Sequence, residues 1–203
     1  MGYSLKKQKI GLFGGSFDPF HFGHLNLAVN LLECAQLDQI FICPAKSTAS
    51  KVPYTSIEHR ICMLQLIIEE IPSFTLLNWE IQMQKPYTID TVKRLKKNKE
   101  IDLFLLLGED LLPNLHLWHQ VEELLTLVTP LIASRFTSSK SMDLKLSSQA
   151  KIKIEKGLVK IPLMEISGKM IRQRLQQRKF CKHLVPTKIL DYIQLNHLYS
   201  SKL

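Results

Sequence analysis

The sequence is poor in cysteine and has no long apolar run. Its four cysteines form no CxxC pair and have no histidine at zinc-finger spacing, so neither a zinc finger nor a disulfide framework organises the chain. No window approaches the roughly 20 apolar residues of a membrane span, and the apolar run 10–13 is too short for a signal-peptide core. These absences predict reduced, structural cysteines, a cytoplasmic protein and no membrane partner.

Acidic residues are outnumbered by basic ones. The 203 residues include 18 Asp and Glu against 27 Lys and Arg, which gives a formal net charge of +9. This balance suits a polyanionic partner but does not choose between a nucleoside triphosphate and a nucleic acid. The apolar share of 45% excludes the disordered and fibrous classes. Without an internal repeat or linker, the chain is predicted to be one domain, 1–203, with a small helical portion at 165–203.

Short strand-like runs alternate with longer helical runs. Such alternation predicts a Rossmann-like α/β fold, a doubly wound parallel sheet that binds ligands beyond the carboxyl ends of its strands. Residues 137–156 are polar and weakly periodic, so we expect a poorly packed connection with helix fragments there. The predicted strands are 9–13, 39–43, 74–78, 102–107, 127–133 (interrupted by Pro130) and 158–162, and the predicted helices are 22–36, 56–70, 88–97, 169–177 and 186–196.

A turn rich in glycine and histidine follows the first predicted strand. Glycines let the backbone approach an anion, and the N-terminus of the next helix offers unpaired N–H groups to phosphate. His21 and His24 are three residues apart, so both rings are expected on one face, where an imidazole can donate to phosphate. We assign both histidines to catalysis. The loop residues that we assign to nucleotide binding are Gly14, Gly15, Ser16, Phe17 and Asp18.

A second anion site is predicted at the helix that follows residue 166. Ser167 is a suitable N-cap, and Gly168 comes before Lys169 and Arg172 in the first turns. Two cations beside the positive end of a helix dipole are unfavourable by themselves, which suggests an anionic ligand. A capped basic surface helix is the alternative.

Residues 14–24 resemble the GGTFDPxHxGH signature of the HxGH nucleotidylyltransferase superfamily, most closely that of the bacterial nicotinate-nucleotide adenylyltransferases. Only Ser16 departs, from Thr. Residues 166–172 resemble the ISSTxIR segment of the same family, with Gly168 and Lys169 in place of Ser and Thr. The family's PPHK segment falls at 49–51, where the histidine is missing and Lys51 alone would serve the phosphates.

Three further segments resemble this family in the same order along the chain. Residues 85–91 are similar to SYTxDT, residues 107–111 with Trp118 to GxDxL…W, and residues 184–199 to the closing LVPxxVxxYIxxxxLY. The resemblance implies that Thr88, Asp110 and Trp118 line a pocket for nicotinate mononucleotide. Each could instead serve the fold, as helix cap or core. His59 and Arg60 are interpreted as a surface pair.

The resemblance also implies the reaction. The 5′-phosphate of a mononucleotide would attack the α-phosphorus of ATP in line and release pyrophosphate, a transfer in which positioning and charge neutralisation dominate. His21 and His24 would bind the triphosphate, with Lys51 and Arg172 on its β and γ phosphates. Because no carboxylate cluster for a protein-held metal is visible, Mg²⁺ is expected to arrive with ATP. Asp18 is a candidate for orientation or for a metal-bound water.

Two alternatives stay open at this stage. One is a related nucleotidylyltransferase with another acceptor, such as nicotinamide mononucleotide or phosphopantetheine. The other is a basic nucleotide- or RNA-binding module without catalysis, motivated by the charge of +9 and the motif departures. The expected partners are ATP and nicotinate mononucleotide, nucleic acid is not expected, and a homo-oligomer is left open.

Overall fold

The computed structural model describes residues 6–46, 53–82, 86–134, 144–162 and 164–200. Within them six strands form one parallel sheet in the order β3-β2-β1-β4-β5-β6. The strands are β1 (Gln8–Gly15), β2 (Gln39–Pro44), β3 (Phe74–Leu76), β4 (Ile101–Gly108), β5 (Thr129–Ser134) and β6 (Leu158–Lys160), and the helices are α1 (Phe22–Cys34), α2 (Ile57–Ile68), α3 (Thr88–Leu95), α4 (Val121–Leu127), α5 (Ser148–Lys156), α6 (Gly168–Gln176) and α7 (Thr187–Leu195).

Helices cover both faces of the sheet, as an all-parallel sheet requires. Alternate residues of β4 point to opposite sides: Leu103, Leu105 and Leu107 join one apolar core, and Leu106 joins the other. Helices α3, α4 and α5 pack on the first of these cores, and α1, α2, α6 and α7 on the second. The predicted doubly wound α/β fold is therefore confirmed.

The winding direction reverses beside β1. From β1 the chain moves outward through β2 to β3, and it then returns to form β4 on the other side of β1. In such a sheet a crevice opens beyond the carboxyl ends of the two central strands, because their following segments diverge. Gly15 ends β1 and Gly108 ends β4, so the 14–24 turn begins at this crevice.

One predicted strand starts later in the structure than the sequence indicated. The predicted strand 127–133 begins only at Thr129, because 121–127 form the unpredicted helix α4. Pro130 fits in β5 because β6 pairs with β5 only from Ile132, so Pro130 has a neighbouring strand on one side.

The expected loose connection at 137–156 also needs correction. Residues 148–156 form α5, whose Ala150 and Ile154 are buried in the core, and Ser147 caps it by accepting from the Ala150 N–H at 3.2 Å. Residues 137–143 of that prediction lie outside the described residues. Within the described ranges, no helix has the length and apolar character needed to cross a membrane.

Candidate active site

His21 and His24 cap the start of α1 reciprocally. His21 is the N-cap residue, and its Nδ1 accepts from the His24 backbone N–H, while Nδ1 of His24 accepts from the His21 backbone N–H, both at 3.3 Å. The rings stack with centroids 3.7 Å apart and planes 20° apart. Because Nδ1 accepts in both rings, a neutral imidazole carries its proton on Nε2. The pair therefore presents two Nε2–H donors fixed in one tautomer.

Both imidazoles are held uncharged. Burial lowers the pKa of His21 to about 4 and lowers the pKa of His24 well below its ordinary value, with the charge of His21 as a second cause. Their surroundings are aromatic: the His24 ring contacts Phe17 and Phe20 at centroid distances of 5.1 and 5.4 Å. Near neutral pH the pair can donate hydrogen bonds to phosphate, but it contributes no positive charge.

The glycines of the turn have different roles. A Cβ on Gly15 would lie 2.9 Å from the Phe17 ring, so Gly15 makes room for this buried side chain. The backbone of Phe17 is left-handed, with φ 46°. Among the described residues, a Cβ on Gly14 would meet nothing within 4 Å. Gly14 thus leaves open space at the end of β1, where a ligand can approach the backbone.

Asp18 is buried and holds other segments of the chain. Its Oδ2 accepts from the Tyr54 backbone N–H at 2.6 Å, and its Oδ1 accepts from the Tyr199 hydroxyl at 2.5 Å. Its main-chain carbonyl accepts from Nη1 of Arg172 at 2.6 Å. Both carboxylate oxygens therefore have partners within the protein, and the geometry favours orientation over direct contact with a ligand.

The structure brings the two predicted anion sites together through Arg172. Ser167 caps α6 by accepting from the Met170 N–H at 3.2 Å, as the sequence predicts. A Cβ on Gly168 would lie 2.9 Å from the Asp18 carbonyl oxygen and 3.1 Å from Nη1 of Arg172. The departure of Gly168 from the serine of the family segment therefore allows this close contact between α6 and the 14–24 turn.

Arg60 is a residue that sequence reasoning misplaced. It is not on the surface: it is 1% exposed, and its guanidinium donates to the carbonyls of Ser16 at 2.6 Å, Ala45 at 2.8 Å, Thr55 at 3.2 Å and Lys46 at 3.4 Å. Its position was visible in the sequence, since residues 60, 63, 64 and 67 form one buried stripe of α2. Burial lowers the pKa of Arg60, which the Asp18 charge opposes.

The residues assigned to the mononucleotide gather at the same edge of the sheet. Thr88 begins α3, Asp110 is exposed in a 3-10 helix (Glu109–Leu117) directly after β4, and Trp118 ends this helix half-buried against the core. The Tyr87 and His119 rings stack at 4.1 Å and join the segments of Thr88 and Trp118. No sequence signal singled out His119. Lys51 lies outside the described residues.

The donor set of the described residues does not form a cage for a resident metal. The described ranges contain no group of three or more His, Cys, Asp or Glu side chains that could hold a metal ion. Nucleotidyl transfer generally uses a divalent metal, and the phosphates of a nucleotide commonly supply oxygen ligands to such a cation.

Comparison with known proteins defines the class of the chain. The family model described as Cytidylyltransferase-like matches residues 12–174, which span the turn, the sheet and Arg172. A solved structure, Plasmodium falciparum nicotinic acid mononucleotide adenylyltransferase complexed with NaAD, has a TM-score of 0.77 at 22% identity and covers 95% of this chain and 97% of that chain. The family match makes the chain a nucleotidyltransferase, and the solved structure has the same fold as this chain.

Curated relatives narrow the assignment. The nicotinate-nucleotide adenylyltransferase of Bacillus subtilis is 36% identical over 96% of this chain and 100% of that protein. A Carboxydothermus hydrogenoformans protein named "Probable nicotinate-nucleotide adenylyltransferase" is 38% identical over 94% of this chain and 98% of that protein. The chain belongs to the nicotinate-nucleotide adenylyltransferase family, which confirms the resemblance of its motifs.

Proposed function

We propose that this enzyme transfers the adenylyl group of ATP to nicotinate mononucleotide, giving nicotinate adenine dinucleotide and pyrophosphate. One observation carries the proposal: the stacked, uncharged His21 and His24 lie at the N-terminus of α1, in the turn whose Asp18 carbonyl holds Arg172. Such a site offers hydrogen-bond donors, a helix dipole and a guanidinium to one polyphosphate.

The triphosphate would lie along the turn. The open space at Gly14 lets phosphate oxygens approach the backbone beside Gly15 and Ser16. The two Nε2–H donors would contact the α-phosphate oxygens, His24 closest, and stabilise the charge that they gain as the 5′-phosphate of the mononucleotide attacks in line. Arg172 and Lys51 would hold the β and γ phosphates and neutralise the departing pyrophosphate.

The protein's own groups would position the substrates and neutralise phosphate charge, and they would form no covalent intermediate. Asp18, with both carboxylate oxygens engaged, would keep the turn in place rather than contact the nucleotide. Mg²⁺ that arrives with ATP would shield phosphate charge. Arg172 would then need to provide only part of the positive charge around the triphosphate.

Thr88, Asp110 and Trp118 would bind the second substrate. Thr88 lies where α3 begins, Asp110 directly after β4 and Trp118 at the end of the 3-10 helix that follows, so a ligand there would be next to the crevice between β1 and β4. The half-buried Trp118 ring would stack on the flat pyridine ring. This arrangement would direct the 5′-phosphate of the mononucleotide toward the triphosphate.

The test is pyrophosphate release by purified protein with Mg-ATP and, in parallel, nicotinate mononucleotide, nicotinamide mononucleotide or phosphopantetheine. We expect fast release with nicotinate mononucleotide alone. Release with another acceptor would instead make that acceptor the substrate. Protein that binds ATP but releases no pyrophosphate with any acceptor would be a non-catalytic binding module.

The remaining features are part of the same proposal. We treat 1–203 as one domain of a cytoplasmic enzyme, with ATP and nicotinate mononucleotide as its partners and no nucleic acid. Sedimentation of the purified protein, with and without RNA, would measure both RNA binding and the formation of a homo-oligomer.

A further inference from the structure

Tyr199 lies near the end of the chain, 181 residues beyond the loop residue that it contacts. Its hydroxyl donates to Oδ1 of Asp18 at 2.5 Å, and its ring is 6% exposed. Its backbone has φ 57°, in the left-handed region that a bulky residue adopts only where its surroundings hold it there. The position of this hydroxyl is therefore determined by packing, and it can act as a fixed support.

Asp18 is the point at which this support reaches the nucleotide site. The Asp18 side chain is held by Tyr199 and by the Tyr54 N–H, and the Asp18 carbonyl holds Nη1 of Arg172. The same carbonyl is packed so closely against Gly168 that a Cβ there would lie 2.9 Å from it. Any displacement of Asp18 must therefore move the acceptor that orients the Arg172 guanidinium.

Because of the charges around Asp18, loss of the Tyr199 hydroxyl would act mainly on Arg172. Burial and the Asp18 charge raise the pKa of Tyr199, so the phenol stays a donor at every physiological pH, whereas a hydrogen bond with the Thr55 side chain and the nearby Arg172 charge act in the opposite direction. Without the hydroxyl, Oδ1 would be a buried carboxylate oxygen short of one donor, which is costly. Arg172 is a cation close to the phenol, and its guanidinium would be drawn toward Oδ1 and away from the triphosphate.

We propose that Tyr199 is a positioning residue for the triphosphate: its hydroxyl holds Asp18, and Asp18 in turn orients Arg172. The inference rests on the proposed function for the identity of the ligand, ATP. The reacting atoms are not contacted by Tyr199, and its effect is confined to the ATP side of the site.

The experiment compares Tyr199→Phe with Tyr192→Phe. Tyr192 is the matched control, because its hydroxyl on α7 makes a 2.8 Å hydrogen bond to Nδ1 of His59 on α2 and does not contact Asp18. Mg-ATP binding is measured by calorimetry, and kcat and KM are measured for each substrate. For Tyr199→Phe we expect about tenfold weaker Mg-ATP binding with an unchanged KM for nicotinate mononucleotide. Tyr192→Phe should leave the Mg-ATP affinity and the KM for nicotinate mononucleotide within about twofold of the wild-type values.

A second comparison tests the route through Arg172. In an Arg172→Lys background the carbonyl contact is already altered, so adding Tyr199→Phe should weaken Mg-ATP binding little further. Equal losses with and without Arg172→Lys would overturn the route through Arg172. A Tyr199→Phe protein that binds Mg-ATP like the wild type, at a temperature where both are folded, would overturn the proposal.

These outcomes separate the inference from the proposed function. Normal Mg-ATP binding without pyrophosphate release would refute adenylyl transfer, yet calorimetry on the two tyrosine variants would still decide the role of Tyr199. Wild-type protein that binds no Mg-ATP would overturn both.

Discussion

The tautomer of the histidine pair is set by neighbouring backbone groups. Each Nδ1 accepts the backbone N–H of the other residue, so each Nε2 is left as the donor. Aromatic burial keeps both rings neutral, which suits hydrogen-bond donation to a phosphate already neutralised by other cations. The chemistry of the pair therefore depends on capping and packing as much as on the residue type.

His24→Asn isolates the Nε2 donor. The Asn side chain can still accept the His21 N–H, so α1 keeps its cap, but no group replaces Nε2–H. We expect turnover to fall ~10²-fold or more, as for a lost transition-state donor, with little change in the free energy of unfolding. Steady-state kinetics and urea unfolding measure the two quantities.

The control for His24→Asn is His197→Asn, the same change at an exposed position whose left-handed backbone, φ 50°, an asparagine tolerates. It should turn over like the wild type. Near-normal turnover in His24→Asn would remove His24 from the mechanism.

Trp118→Ala tests the mononucleotide pocket. Loss of the stacking ring should raise the KM for nicotinate mononucleotide more than the KM for ATP, because the proposed ATP site is formed by the 14–24 turn and α6. The control is Trp79→Ala, which removes another tryptophan of the same core, one that lies against the Arg94 guanidinium at 4.0 Å. If both variants shift the two KM values equally, Trp118 serves only the core.

At the scale of elements, the site depends on how α6 meets the 14–24 turn. The N-terminus of α6 needs its serine cap for its own N–H groups, and it needs Gly168 for contact with Asp18. Sequence comparison alone marks Gly168 as a departure from the family segment. The structure gives it a reason, because a side chain there would occupy the space of the hydrogen bond between Arg172 and the Asp18 carbonyl.

Gly168→Ala should therefore weaken Mg-ATP binding. Alanine is favoured over glycine in a helix by up to about 1 kcal/mol, yet its Cβ would push Asp18 and Arg172 apart. Gln173→Ala, at an exposed uncharged position of the same helix, is the control and should bind Mg-ATP like the wild type. Calorimetric titration with Mg-ATP compares them, and equal affinities in the two variants would argue against the close-contact role of Gly168.

At the scale of the whole molecule, buried neutral histidines make stability depend on pH. In the unfolded chain His21 binds a proton below about pH 6.5, whereas in the folded protein it does so only below about pH 4. Stability therefore falls as the pH falls through this window. His21 alone contributes a change of about 3 kcal/mol across it. His24 acts in the same direction.

Urea unfolding at about pH 7.5 and about pH 5 measures this loss. His21→Asn, which keeps an N-cap side chain but cannot titrate, should lose less stability between the two pH values than the wild type. Identical losses in both proteins would mean that His21 is not held neutral in the folded state.

Much of the fold could be predicted because it is encoded locally. Residues 103–107 of β4 are all apolar, which marks a strand covered on both faces, and the turn after β1 carries its glycines and histidines in sequence. Helix α4 and the bounds of β5 were misjudged, since a short helix next to an apolar strand has no clear separate period. Helix fragments were expected around α5, but its packing against the core was missed because only Ala150 and Ile154 of its residues are buried.

The sequence by itself determined the class of the fold, the family and most of the residues assigned to the site, because strand and helix periods, caps and phosphate-binding turns are properties of short segments. Only the tertiary structure decided how these segments support one another. The hydrogen bonds of Arg60 to the Ser16 and Ala45 carbonyls, the meeting of Tyr199 with Asp18, and the space that Gly168 leaves for Arg172 join residues far apart in the chain. Such contacts arise from packing around the crevice of the sheet, and no local pattern encodes them.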